Sequence, residues 1–156
     1  MNKLAETYGD KLSILAFPCN QFGHQTNEDN EEILNTLKYV RPGNGYEPAD
    51  SITMFSKTDV NGFNAHPMFR WLRRSRQIPD DCDVCTKNNG VDDDEVLVLP
   101  RAGFGNTTVS LWTPVTRNDI AWNFEKFVLD KSGNVVKRYS RYYDTNAIAK
   151  DVDALL

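Results

Sequence analysis

The stretch that decides the fold is Leu12-Ser-Ile-Leu-Ala16, running directly into Phe17-Pro-Cys-Asn-Gln-Phe-Gly-His-Gln25. A continuous apolar run predicts a strand over Leu12 to Phe17, buried on both faces, and Pro18 ends it. The polar loop that follows puts Cys19, Asn20, Gln21 and Gly23 at the mouth of that strand. Open α/β sheets carry their sites there, because side chains at strand ends are rigid yet accessible. Upstream, Met1, Leu4 and Tyr8 recur at helical spacing with Gly9 as the stop, so a helix precedes the strand. Downstream, Asn27 is the expected N-cap of a helix NEEILNTLKYV, whose Ile33, Leu34 and Leu37 form one apolar face.

The remaining chain continues this alternation. Arg41 to Pro48 is punctuated by Pro and Gly and reads as a loop, and Ile52 to Phe55 as a short strand. Pro67 suits the first turn of a helix opening at His66 and carrying MFRWLRRSR, with Arg70 to Arg76 as its basic face. From Gln77 to Asn106 the composition turns acidic and Gly-rich, which predicts a long surface insertion with Val96 to Leu99 as a small strand inside it. Phe124 to Leu129 and Val135 to Tyr139 flank the turn Asp130-Lys-Ser-Gly-Asn134, a hairpin signal. Asp144 or Thr145 can cap a last helix that carries Ile148, Val152 and Leu155 inward. The order is that of a single α/β domain over residues 1–156, with helices on both faces of a sheet.

The 156 residues carry a formal net charge of -4 with 26% charged residues, which argues against a nucleic-acid partner, since such proteins present a basic face. No apolar window approaches the length of a membrane span, and MNKLAETYGD lacks the apolar core of a signal peptide. Three cysteines are too few for a disulfide framework and suit a reducing, cytoplasmic setting.

A second concentration of unusual residues is Ala121-Trp-Asn-Phe-Glu-Lys-Phe127. The Gln21 amide, the Trp122 indole and the Asn123 amide are uncharged donors. Converging donors of that kind favour an anion over its protonated form, which suits a thiolate or selenolate.

FPCNQFGHQ, NEEILNTLKYVRPG, DVNG at Asp59 to Gly62, RNDIAWNFEKF and RYSR together resemble the glutathione peroxidase family, in its cytosolic tetrameric selenoenzyme branch. The resemblance covers nearly the whole chain apart from the insertion. It implies a thioredoxin-like α/β fold and reduction of hydrogen peroxide and organic hydroperoxides by glutathione as co-substrate, with no bound cofactor or metal. It implies a catalytic tetrad of a peroxidatic selenocysteine or cysteine with Gln21, Trp122 and Asn123. The peroxidatic residue of the family lies upstream of the FPCNQFG motif, so the expectation is a fold incomplete at the N-terminus and a nucleophile preceding Met1. Selenocysteine is read from a codon that otherwise means stop, and a restart at Met1 inside the first helix is where such a reading would fall. A transcript with a genuine stop and no in-frame extension would sink this expectation. The 156 residues alone are expected to be poorly soluble and to turn over little peroxide.

The matching positions of the tetrameric branch imply Arg141, with Arg41 and Lys38, as cations for the glutathione carboxylates. Tyr142 stands where that branch often carries a second Arg. The RPGNGYEP loop resembles the branch's oligomerisation loop, which implies a homotetramer and gives Arg41 a second possible place in an interface. Cys19 matches a non-catalytic loop cysteine of the family. Cys82 and Cys85 form a C-x-x-C without a second ligand pair or a strand-to-helix context, so two surface thiols are expected rather than a zinc or redox site. Two other readings stand beside the peroxidase. One is a non-catalytic scaffold or partner-binding descendant of the same fold, and the other is a thiol–disulfide protein using Cys82 and Cys85.

Overall fold

The computed structural model describes residues 1–81 and 112–156, so Cys82, Cys85 and the expected strand Val96 to Leu99 lie outside the described residues. Helix α1, Asn2–Tyr8, stops at Gly9, whose N–H closes on the Ala5 carbonyl, and a 3₁₀ turn over Gly9–Lys11 leads into strand β1, Ile14–Ala16. Helix α2 spans Asn30–Tyr39 and strand β2 Ile52–Met54. Helix α3 is Pro67–Ser75, with Pro67 in its first turn and the His66 imidazole accepting from the Met68 N–H at 3.2 Å. Strands β3, Lys126–Leu129, and β4, Val135–Tyr139, form the expected hairpin, closed by Asp130 Oδ1 accepting from the N–H groups of Ser132 and Asn134. Asp144 caps a 3₁₀ turn, Thr145–Ile148, that runs into helix α4, Ala149–Asp153.

Strand β1 pairs with β2 in parallel, Ile14 opposite Ile52 and Ala16 opposite Met54. Strand β3 pairs antiparallel with β4, Lys126 opposite Tyr139. Among the described residues these are two separate two-stranded sheets, where a single sheet was expected. Their strands are three to five residues long, and the sheets meet through side chains instead of a shared ladder. Successive residues of β3 point to opposite faces and so serve two cores. Phe127 packs with Phe69 and Leu72 of α3 around Cys19, Phe22, Val60, Trp112 and Ile120. Val128 packs with Leu4 of α1, Tyr139, Ile148 and Val152 of α4, and Ile14 of β1. Helices therefore lie on both faces of the hairpin.

Three expectations are corrected. Strand β1 is shorter than predicted and not buried on both faces, since Leu15 is 48% exposed while Ile14 and Ala16 are half-buried. The cap of α2 is Asp29, not Asn27: the Asp29 N–H donates to Glu32 Oε2 at 3.2 Å, while the Asn27 side chain is engaged by Asn20 and the His24 carbonyl. The stretch Arg70 to Arg76 is not wholly a basic face, because Arg73 turns inward onto the buried carboxylate of Asp119. The first residues of the expected insertion are held against β4. Asp80 N–H donates to the Arg138 carbonyl at 2.7 Å, Asp80 Oδ2 accepts the Arg138 N–H at 2.7 Å, and Asp81 accepts from both the N–H and hydroxyl of Ser140. Residues 80 and 81 are thus tied to Arg138 and Ser140, mostly through their carboxylates.

Candidate active site

Strand β1 delivers the chain into the loop Phe17 to Gln25, which its own polar residues close. Asn20 Oδ1 accepts the Thr26 N–H at 2.9 Å and its amide donates to Asn27 at 2.9 Å. Gln21 points inward and is buried. Its Oε1 accepts the N–H groups of Val60 and Asn61 at 3.0 and 2.9 Å, and its Nε2 donates to the Asn61 carbonyl at 3.1 Å. Among the described residues that leaves one Nε2–H uncommitted on an amide whose plane is fixed by three backbone bonds.

Trp122 and Asn123 arrive from the other side. The Trp122 ring lies against Phe22, with centroids 5.8 Å apart, and over Gly23, where a Cβ would stand 3.4 Å from the ring edge. Gly23 has φ +69°, so any side chain there would meet both an adverse backbone and the indole. Asn123 Nδ2 donates to Gln25 Oε1 at 2.9 Å. Gln21, Trp122 and Asn123 therefore flank one loop without bonding one another, and among the described residues the Trp122 indole N–H takes no partner.

The segment before Trp122 is held by buried polar side chains. Asn61, 1% exposed, donates to the Ile120 carbonyl and accepts the Ile120 N–H, both at 2.9 Å. Glu125 accepts the Ala121 N–H at 2.6 Å. Arg138 donates to the carbonyls of Asn118 and Asp119, to those of Arg76 and Gln77 at the end of α3, and doubly to Glu125. Burial pushes the Glu125 carboxyl up and the Arg138 guanidinium pulls against it. Asp119 in turn accepts from Arg73, the Trp112 indole at 2.8 Å and Thr116. Gly62, at φ +77°, lets the 59–62 loop pass so close to Thr113 that a Cβ would stand 2.9 Å from its carbonyl oxygen.

The cations divide. Arg141 joins the site, its guanidinium 5.5 Å from the Trp122 ring and 4.5 Å from that of Tyr142, whose hydroxyl it also contacts. Lys38 is not brought there: it pairs with Glu47 at 2.6 Å, which raises its pKa. Arg41 is exposed beside Pro42, and among the described residues its side chain makes no hydrogen bond to Gln21, Trp122 or Asn123. Cys19 is buried, and desolvation pushes its thiol from 9.0 up to about 11 although backbone N–H groups of Gln21 and Val60 oppose the rise. A thiol so held is protonated at neutral pH and a poor nucleophile, in keeping with a non-catalytic loop cysteine. Among the described residues no group of three or more His, Cys, Asp and Glu could hold a metal ion, and no helix is long and apolar enough to cross a membrane.

Asn61, Glu125, Arg138 and Asp119 were not among the expected site residues. The only signal for them was their membership of the DVNG, RNDIAWNFEKF and RYSR motifs, where a buried polar residue reads the same as an exposed one.

The glutathione peroxidase family model matches residues 1–73. Glutathione peroxidase 1 of Rattus norvegicus is 46% identical over the whole of this chain and 69% of its own length. The glutathione peroxidase of Molluscum contagiosum virus subtype 1 is 45% identical over the whole of this chain and 63% of its own. Among solved structures, T. cruzi GPX1 aligns with a TM-score of 0.51 at 24% identity over 99% of this chain and 67% of its own. Trgpx in apo form aligns with a TM-score of 0.50 at 21% identity over 98% of this chain and 62% of its own. The chain thus spans about two thirds of these relatives' lengths, and the two structures share the expected thioredoxin-like α/β fold. With 46% identity along its whole length, the chain belongs to the glutathione peroxidase family.

Proposed function

We propose that the protein reduces hydrogen peroxide and organic hydroperoxides with glutathione, and that Gln21, Trp122 and Asn123 are the donors that steady the reacting anion. The observation that carries this is their gathering about the one loop at the end of β1, with Arg141 stacked over Trp122. The two-electron chemistry needs a selenolate or thiolate. Cys19 is ill suited, so we assign the role to a selenocysteine or cysteine preceding Met1 in the complete protein. Attack of that anion on one peroxide oxygen breaks the O–O bond and leaves that oxygen on the nucleophile as its selenenic or sulfenic acid, while the departing alkoxide or hydroxide takes up a proton and leaves as alcohol or water. One glutathione then displaces that oxygen as water to give a mixed selenenyl sulfide or disulfide, and a second restores the nucleophile and leaves as glutathione disulfide.

Within this scheme the uncommitted Nε2–H of Gln21 and the unpartnered indole N–H of Trp122 offer neutral hydrogen bonds that lower the nucleophile's pKa without taking its proton. Arg141 is the glutathione carboxylate partner favoured by its contact with Trp122. Arg41 and Lys38 would serve only if a neighbouring subunit brought a site to the Arg41 to Pro48 loop, consistent with a homotetramer. We further infer a reducing, cytoplasmic location.

The test is a steady-state assay of the complete protein with glutathione and hydrogen peroxide. Gln21→Ala and Trp122→Phe should each lower the rate of peroxide reduction by about tenfold to a hundredfold. Arg141→Met should raise the glutathione concentration needed for half-maximal rate. A complete protein with no peroxide turnover, or variants equal to wild type, would overturn the assignment and leave the non-catalytic scaffold as the reading to pursue.

A further inference from the structure

We propose that Asn61 is a positioning residue that locks Gln21 and Trp122 into one rigid unit, so that the two halves of the donor set cannot drift apart. This rests on the reading of Gln21 and Trp122 as donors to the reacting anion. Gln21 lies in the loop after β1, whereas Trp122 lies 101 positions further along the chain on the run into β3. Two independent segments must therefore be fixed relative to each other to within a fraction of an ångström.

The Phe22–Trp122 ring contact and the Asn123–Gln25 hydrogen bond also join the two segments, but Asn61 is the residue that hydrogen-bonds both Gln21 itself and the peptide leading into Trp122. Its backbone N–H and C=O take both ends of the Gln21 amide, at 2.9 and 3.1 Å. Its side-chain amide takes the C=O and N–H of Ile120, both at 2.9 Å. One residue thus makes two paired, two-point contacts, one with the donor itself and one with the peptide two residues before the other donor. A pair of antiparallel hydrogen bonds fixes orientation as well as distance, which a single bond or an apolar contact does not. Asn61 is 1% exposed and every polar atom it uses is matched, so an apolar residue there would fill the space and lose the lock. Asp at this position keeps the acceptor for the Ile120 N–H but sets a carboxylate oxygen against the Ile120 carbonyl in place of the donor.

The experiment uses the complete protein, with ¹⁵N-labelled tryptophan to observe the indole N–H signals. Asn61→Asp should shift and broaden the Trp122 signal, assigned from Trp122→Phe, while leaving that of Trp71 in place. Its rate of peroxide reduction should fall by about tenfold or more. A folded Asn61→Asp protein with an unmoved Trp122 signal and wild-type rate would overturn the proposal. Amide hydrogen exchange on the unaltered protein decides the matter even where the variant does not fold. The N–H groups of Val60, Asn61 and Ile120 should exchange at matching protection, as one opening unit, and free exchange of Ile120 beside protected Val60 and Asn61 would likewise overturn the proposal. Wild-type rates in Gln21→Ala and Trp122→Phe would strike the functional reading instead, leaving the indole and exchange results to judge the lock.

Discussion

Cys19 lies two positions from the proposed donor Gln21, yet its surroundings keep it inert. Burial raises its thiol to about 11, so the folded protein holds that proton more tightly than the unfolded chain does. A raised folded-state value contributes stability that is whole below the ordinary thiol range and is lost as pH rises through it toward 11. The stability difference between wild type and Cys19→Ser, taken from denaturant midpoints, should therefore shrink from about pH 8 to about pH 11. Constancy of that difference would show that the thiol is not desolvated. At this scale the sequence offers Gln21, Trp122 and Asn123 as the proposed donors because their motifs are long and specific. Asn61 and Arg138 were not, because their importance lies in where their hydrogen bonds go, and that depends on segments 59 and 62 positions distant for Asn61 to Ile120 and Arg138 to Arg76.

The elements were legible wherever a local signal governs them. Gly9 ended α1, Pro67 began α3, and the Asp130 turn built the hairpin. Errors arose where tertiary partners chose between local options: Asn27 and Asp29 are both good caps, and only the capture of Asn27 by the site loop decides the matter. Arg73 reads as part of a basic stripe until Asp119 draws it inward. Among the described glycines the tightest is Gly62, where added bulk would meet the Thr113 carbonyl in a left-handed backbone. Gly62→Ala should accordingly destabilise the protein by about 2 kcal/mol or more, read from thermal or denaturant unfolding. A loss of only a few tenths would mean that the 112–114 segment moves aside at little cost.

For the whole molecule, the Arg138–Glu125 pair is the point where α3, the 118–121 segment and both strands of the hairpin converge. Their side chains are 1% and 2% exposed. Arg138→Met should cost about 3–5 kcal/mol, because Glu125 would be left as an uncompensated buried carboxylate and four carbonyls would lose their donor. Adding Glu125→Gln to that variant should restore part of the loss, a non-additivity that a double-mutant cycle of unfolding free energies measures. The division of one expected sheet into two belongs to this scale as well. Strand periodicity announces that a strand exists, not which edge it joins, and here Ile14 of β1 and Val128 of β3 pack against one buried cluster without sharing a ladder. The Asn61–Gly62 peptide also carries a chemical clock. An asparagine followed by glycine ages readily, its side-chain carbonyl carbon being attacked by the next backbone nitrogen with loss of ammonia to give a cyclic imide, which water opens to aspartate or isoaspartate. In the fold both atoms of that amide are held by Ile120, so the clock is stopped. Each excursion through the unfolded state restarts it, and a chain that has aged there refolds without the donor that joins its two halves, so that transient unfolding is written into the covalent structure as permanent loss.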